Sequence, residues 1–307
     1  MGKLNIRFDN KVAIITGAGS GLGRSYALFL ASRGAKVVVN DLGTAGSGIA
    51  HSDMLAQRVV EEIRAQGGEA VANLDSVAEV KGAQRIVENA LRHFGTVDIL
   101  INNAGILRDR TFLKMSLEDF ELLLKVHLLG SVYVSHAAFP IMKQKGYGRI
   151  VLTTSVAGLF GNYGQTNYST AKMGIVGFMN SLKLEGEKYN ILVNTVAPLA
   201  TTGLAIQAGV FPKEILPLLK PELVTSLVAY LCSEQCQTSG DVISAGGGYY
   251  AKVQIVEGLG IRFDPEEEVS PEKIAEKYIE ITNMEGAVSF KSTQDELLVT
   301  LGPLLNR

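Results

Sequence analysis

Five short runs of almost wholly apolar, mostly β-branched residues recur along the chain, at residues 12–15, 37–39, 99–101, 150–152 and 191–196. None alternates apolar with polar residues. A strand with one wet face alternates, whereas a strand covered on both faces stays apolar throughout. Helix-length segments separate the runs, at 21–33, 53–66, 79–94, 116–143, 166–188 and 222–233. Strands and helices in alternation specify an α/β fold, a doubly wound parallel sheet with helices on both faces. Gly34 and the Gly67-Gly68 pair stand where helix C-caps are expected.

The pattern stops near GGGYYAK, residues 246–252. Beyond it, DPEEEVSPEKIAEKYIE carries an acidic run and then Ser270-Pro271, an N-cap followed by proline at the first helical position. With 307 residues the chain is long enough for one large core and an appendage. The expected division is residues 1–250 as the α/β unit and 251–307 as a C-terminal extension with at least one helix. The acidic run reads as a solvated connection.

Formal net charge is −2 and no basic face stands out, so nucleic acid is not an expected partner. No apolar run approaches the roughly 18 residues that cross a bilayer, so no membrane is expected either. MGKLNIRFDN lacks an apolar signal core and a Ser or Thr at position 6, and PLLNR is no peroxisomal SKL-type address. Cys232 and Cys236 share a helical face, but two thiols do not complete a tetrahedral metal site. No metal is expected. Two thiols in a long chain suggest a reducing, cytoplasmic setting.

TGAGSGLG, starting at Thr16, joins the first strand to the first helix. Gly17, Gly21 and Gly23 let the backbone approach a pyrophosphate, and the helix aims its free N–H groups at it. The second strand ends in VVVNDLG, which places Asp41 24 residues after Gly17. A carboxylate there accepts hydrogen bonds from an adenosine ribose and repels a 2′-phosphate, which favours NAD over NADP. Ser20 supplies no offsetting cation, while Arg24 is a candidate to do so. Asp41 also fits a plain capping role.

GNYGQTNYSTAK, residues 161–172, puts Tyr168 and Lys172 four apart on one helical face. An ammonium beside a phenol favours phenolate. Bringing a tyrosine from pKa near 10 to near 7 needs about 4 kcal/mol of differential stabilisation. Ser155 stands just past a predicted strand, thirteen residues before Tyr168. Taken singly, the Tyr–Lys spacing is commonplace and Ser155 suits a turn. His127 lies in EDFELLLKVHLLGSVYV, where Phe120, Leu123, Leu124, His127 and Val134 recur at helical spacing. By periodicity alone it is a core histidine.

Taken together, TGAGSGLG, NNAG (Asn102 to Gly105), a serine after a strand and YSTAK follow in the order and spacing of the short-chain dehydrogenase/reductase family. The resemblance covers about residues 8–248 and implies a Rossmann fold. It implies Tyr168 as the acid/base, Lys172 lowering its pKa and holding the nicotinamide ribose, and Ser155 orienting the substrate oxygen. It also implies Ser20, Leu22, Ser76, Asn103, Ala104, Gly105 and Pro198 around the cofactor, with Asp75 by the adenine. VVVNDLG, NNAGILRDR, VHLLG, GNYGQTNYS and the GGGYYAK tail further resemble the (3R)-hydroxyacyl-CoA dehydrogenase units of the type 2 peroxisomal multifunctional enzymes, which use NAD. That group carries a similar extension, and its likeness fades after about residue 260. Where the wider family has an asparagine serving a proton path to the lysine, this chain has His127.

The resemblance thus implies an NAD-dependent 3-hydroxyacyl-CoA dehydrogenase, with Gln165 touching substrate. A hydroxysteroid or steroid-CoA is the alternative substrate, and a non-catalytic cofactor-binding protein the alternative of another class. Arg108 and Arg110 are candidates for a CoA phosphate, or plain surface residues. Two departures stand out. Pro198-Leu199 replaces the usual Pro-Gly, which leaves the threonine that meets the nicotinamide amide open between Thr201, Thr202 and neither, and the sequence stops where the multifunctional enzymes continue into a hydratase unit. A homodimer or larger homo-oligomer is expected through the helices near 116–143 and 166–188. The location would be peroxisomal for a unit excised from a multifunctional enzyme.

Overall fold

The computed structural model describes residues 5–43, 54–203 and 212–305. The readings of both chain ends, and the start of the helix expected from residue 53, fall partly outside them. The chain divides into two compact units, Met1–Lys252 and Val253–Arg307.

The first unit is built on one sheet in the order β3-β2-β1-β4-β5-β6-β7-β8. The five strands read from apolar runs are β1 (Val12–Thr16), β2 (Lys36–Asn40), β4 (Ile99–Asn102), β5 (Gly148–Thr153) and β6 (Ile191–Leu199). Each is parallel to its neighbour; Ile14 pairs with Val38 on one side and Leu100 on the other. Three strands carry no such run. Glu69–Asn73 (β3) lies on the outer edge, where a single apolar face is enough. Val242–Gly246 (β7) pairs parallel to β6, and the two-residue Gly247-Gly248 connection leads into Tyr249–Val253 (β8).

Successive strand residues point to opposite faces. Ala13, Ile15, Val37, Val39, Ile99 and Ile101 share a core with α1 (Gly21–Ser32), α2 (Met54–Ala65) and α7 (Pro221–Cys232). The opposite face is covered by α3 (Val80–Phe94), α4 (Leu117–Lys145) and α6 (Thr166–Gly186). Central strand residues such as Ile14, Val38 and Leu100 are 0 % exposed. Each such side chain contributes about 1.5–3 kcal/mol relative to exposure.

Helix α4 corrects one expectation. Its length and a mean hydropathy of 1.4 over its most apolar stretch would suit a bilayer-crossing helix. Its apolar side chains have another use, because α4 packs on β4, β5, α3 and α6. It is also irregular. Leu124–Leu129 form a π-helical turn, and His127 is the buried residue in it. Such turns often mark functional positions, because they re-aim one side chain without ending the helix.

The second unit holds α8 (Pro271–Ile281) and α9 (Thr293–Leu305), with an antiparallel bridge between Glu257 and Val288. Ser270 caps α8 as expected, accepting from Lys273 N at 3.3 Å. None of its described residues is buried.

Candidate active site

The carboxyl ends of β1 to β6 open into one cavity of about 630 Å³. This is where a doubly wound sheet collects ligands, because the strand order reverses at β1 and leaves a crevice.

The glycine turn forms one wall. Gly17 holds φ +64°, and a Cβ there would sit 2.8 Å from Ala104 Cα. Thr16 Oγ1 accepts from the N–H groups of Asn103 (3.0 Å) and Ala104 (3.1 Å). Asn103 Nδ2 donates back to Thr16 O and Gly17 O. NNAG therefore pins the turn from beneath. Ser20, Gly21 and Leu22 line the cavity beside Gly17, and Asn103, Ala104 and Gly105 line it from below. Gly23 does not line it. A Cβ there would fall 2.2 Å from Gly17 O, so Gly23 is the place where α1 packs onto the turn.

Asp41 also lines the cavity, its Oδ2 accepting from Gly19 N at 2.8 Å and its Oδ1 from Gly43 N at 2.7 Å. Arg24, the cation weighed against it, is paired with Glu62 instead. Asp75 and Ser76 line the next stretch. Asp75 is held by Asn73 Nδ2 (2.9 Å) and by Arg85 (2.5 Å). Pro198 and Thr202 complete this side. Of the two threonines left open, Thr201 is turned away, its Oγ1 donating to Leu216 O at 2.5 Å.

At the other end, β5 delivers Ser155 at the start of α5 (Val156–Phe160), and α6 delivers Gln165 at its N-cap, then Tyr168 and Lys172. All four line the cavity with His127. Lys172 Nζ donates to Thr153 O at 2.7 Å and lies 5.5 Å from the Tyr168 ring centre. The His127 ring meets Tyr168 edge-on at 5.3 Å.

The short chain dehydrogenase family pattern matches residues 11–211. The chain belongs to the short-chain dehydrogenase family. It is 49 % identical over 279 residues to a short-chain type dehydrogenase/reductase of Mycobacterium tuberculosis, covering 91 % of this chain and 96 % of the relative. It is 46 % identical over 284 residues to peroxisomal multifunctional enzyme type 2 of Drosophila melanogaster, covering 92 % of this chain and 47 % of that one. The chain thus spans about half the length of the fly enzyme. The full-length fly structure superposes with a TM-score of 0.82 at 38 % identity, covering 98 % of this chain and 50 % of that one. A 7α-hydroxysteroid dehydrogenase solved with NADH and 7-oxo glycochenodeoxycholic acid superposes with a TM-score of 0.71 at 29 % identity, covering 80 % of this chain and 96 % of that one.

The electrostatics of this short-chain dehydrogenase differ from the simple sequence argument. Burial pushes Tyr168 up to about 12; hydrogen bonding with Ser155 pulls it down and the charge of Asp109 pushes it up. Burial takes Lys172 down to about 7. The groups of the chain itself therefore leave the phenol protonated. His127 falls well below its ordinary value, through burial and then the charge of Lys172. Its Nε2 meets the backbone of Ile106 twice, accepting from Ile106 N at 3.1 Å and lying 2.8 Å from Ile106 O. Nδ1 is buried and without a partner among the described residues.

Several residues escaped the sequence reading. Leu107, Leu122, Val126 and Phe160 form an apolar wall, and Asn162 and Thr153 stand at the reacting end. Apolar wall residues carry no motif, since any helix face supplies them. Arg108 and Arg110 are engaged locally, Arg108 with Asp119 at 3.4 Å and Arg110 with the carbonyl of Asp109.

Proposed function

We propose that the chain is an NAD-dependent dehydrogenase interconverting a (3R)-3-hydroxyacyl-CoA and the corresponding 3-ketoacyl-CoA. The observation that carries this reading is the continuity of one cavity from the glycine turn, past Ser155, Tyr168 and Lys172, to the apolar wall of Leu107, Leu122, Val126 and Phe160. The 46 % and 48 % identity to the peroxisomal hydratase-dehydrogenase-epimerases of Neurospora crassa and Saccharomyces cerevisiae supports dehydrogenase chemistry.

The residues present fit a dinucleotide. The cradle at Gly17 has no room for a side chain, the N-cap Ser20 spends no side-chain bond on α1, and Asp41 lies where a ribose would meet it. Gly17, Ser20, Gly21 and Leu22 would hold the pyrophosphate, and Asp75 and Ser76 the adenine side. Asn103, Ala104, Gly105, Pro198 and Thr202 would hold the nicotinamide side. With Arg24 tied to Glu62, no hydrogen bond or ion pair among the described residues brings a cation to Asp41 to balance it against a 2′-phosphate, which supports NAD. Bound there, an oxidised nicotinamide accepts hydride and brings a positive charge to the phenol.

Tyr168 takes the hydroxyl proton of the substrate in oxidation and returns it in reduction. Ser155 donates to the same oxygen as charge develops on it. Lys172, poised near neutral pH, holds the ribose and exchanges the proton. His127 Nδ1, buried without a protein partner among the described residues, makes the next hydrogen bond outward, through water, in the relay.

The apolar wall takes the acyl chain, and the chain works as a homodimer or larger homo-oligomer, without nucleic acid, metal or membrane. The location is cytoplasmic for a free-standing chain and peroxisomal for a unit of a multifunctional enzyme. The similarity to the hydroxysteroid enzyme supports a second reading, in which the same centre oxidises a hydroxysteroid or its CoA thioester.

The deciding experiment follows nucleotide reduction with (3R)- and (3S)-3-hydroxyacyl-CoA, a free hydroxysteroid and a steroid-CoA, each with NAD and NADP. Turnover concentrated on the (3R)-thioester with NAD is expected. Preference for the steroid substrates overturns the acyl-CoA reading, and faster turnover with NADP overturns the cofactor assignment.

A further inference from the structure

The segment 108–111, between NNAG and α4, has no task in the chemistry above, yet it is stitched to the residues that lead into α6. Arg110 N donates to Gly164 O at 3.0 Å and Asn167 Nδ2 donates to Arg108 O at 3.0 Å. Gln165 Nε2 donates to Asp109 Oδ2 at 2.7 Å. Asn167 Oδ1 in turn accepts from Tyr168 N at 2.7 Å, so the segment reaches the backbone of the acid/base itself. Gln165 is 6 % exposed and lines the cavity, whereas Asp109 stands behind it. The second carboxylate oxygen of Asp109, Oδ1, is buried without a partner among the described residues.

An ionised carboxylate only accepts hydrogen bonds. Asp109 must therefore face the nitrogen of the Gln165 amide, which removes the ambiguity an amide otherwise has. Asn162 Nδ2 donates to Gln165 Oε1 at 2.9 Å, which fits that orientation. The amide oxygen is committed to Asn162 and one N–H to Asp109. The second N–H has no protein partner among the described residues, and a buried donor left so needs one from the substrate.

We infer that Asp109 is a positioning residue: its carboxylate fixes the Gln165 amide with one N–H open to the cavity, where it donates to a second carbonyl oxygen of the substrate, the thioester oxygen of a 3-hydroxyacyl or 3-ketoacyl thioester. This rests on the acyl-thioester reading above and adds a specificity element to it. Gln165 precedes Tyr168 by one helical turn, and the thioester carbon lies two carbons from the reacting one. A substrate with only the reacting oxygen leaves this donor unsatisfied, and buried donors discriminate by that means.

The negative charge of Asp109 acts on Tyr168 as well. The other groups facing Tyr168 are Ser155, the neutral His127 ring and Lys172. Around Asp109, Arg108 pairs with Asp119 and Arg110 holds the Asp109 backbone carbonyl. Removing the charge of Asp109 therefore eases deprotonation of Tyr168.

The test compares native enzyme, Asp109→Asn, Gln165→Leu and the double variant. Each is assayed in oxidation with NAD on a (3R)-3-hydroxyacyl-CoA and on a chain-matched secondary alcohol without the thioester. Asp109→Asn is expected to raise KM for the thioester about tenfold, the size of one lost hydrogen bond, with little change for the alcohol. In the Gln165→Leu background it should cost nothing further on KM. The rise of its kcat with pH should move to lower pH, which a merely structural role would not produce. A penalty that persists in the double variant, an equal penalty on both substrates, or an unmoved pH profile overturns the proposal. If Asp109→Asn does not fold, Gln165→Leu alone decides: equal KM for the thioester before and after overturns it. A native enzyme inactive on every 3-hydroxyacyl-CoA overturns the functional reading and this proposal with it. A native enzyme active on the thioester, with Asp109→Asn indistinguishable from it, overturns this proposal alone.

Discussion

At the glycine-turn end of the cavity, the side chains are bonded to one another and to the backbone. Asn103 ties Thr16 to Gly17, Asp41 accepts from Gly19 and Gly43, and Asn73 and Arg85 hold Asp75. At the reacting end, Thr153 Oγ1, His127 Nδ1 and Asp109 Oδ1 are buried with no partner among the described residues. Tyr168 and Lys172 are pushed apart, to about 12 and about 7, by loss of water. The first end is preorganised and inert. The second keeps polar groups short of partners, an arrangement that costs stability and is found where chemistry is done.

The sharpest way to break that contrast is Tyr168→Phe. It removes one oxygen from the reacting end and should lower turnover at least about a hundredfold while NAD affinity, read by fluorescence titration, stays as it was. Substantial turnover would place the chemistry elsewhere. Next in size is Gly17→Val at the inert end. The φ of +64° and the 2.8 Å approach to Ala104 leave no room for a side chain. NAD affinity should fall about tenfold or more, together with the melting temperature, and an unchanged affinity would mean that this turn does not hold the dinucleotide.

His127→Ala tests whether the π-helical turn serves the reacting end. Turnover per folded molecule should drop about tenfold, with a smaller effect on melting temperature. Lost stability with normal turnover would return His127 to the core reading that periodicity gives.

The smallest effect is one of stability. Lys172 is lowered in the fold from 10.5 to about 7. Between those values the unfolded chain binds the proton and the folded one releases it, so the stability withheld by Lys172 is regained as pH rises. Lys172→Met should therefore melt above the native protein near pH 7, and the gap should narrow toward pH 10. A gap that widens with pH would contradict the lowered value.

Much of this contrast was legible in the linear chain. Continuous apolar runs marked the five central strands because burial on both faces leaves no polar position. β3 was missed because EAVAN, at the sheet edge, buries fewer of its residues. The glycine turn, Asp41, Ser155, Tyr168 and Lys172 could be read because each depends on spacing along one strand-turn-helix unit. Gly23, expected around the cofactor, does not line the cavity and packs α1 on the turn, a distinction of a few ångströms that spacing does not carry. Helix α4 was read as a helix near 116–143 with no continuous apolar run long enough to cross a bilayer, and its mean hydropathy of 1.4 is reached with polar residues interspersed.

Residue type and order alone determined the doubly wound sheet, the Ser–Tyr–Lys group and the carboxylate at Asp41, because local spacing on regular elements fixes those positions. The tertiary structure decided the rest. It bound Arg24 to Glu62, turned Thr201 away from the cavity, and set Asp109 behind Gln165 across 56 residues of sequence. It also inverted the charge argument at the centre, since how far water is excluded from Tyr168 and Lys172 depends on every element packed around them. Desolvation is a property of the surroundings, and no pair of residues four apart in a sequence can specify it.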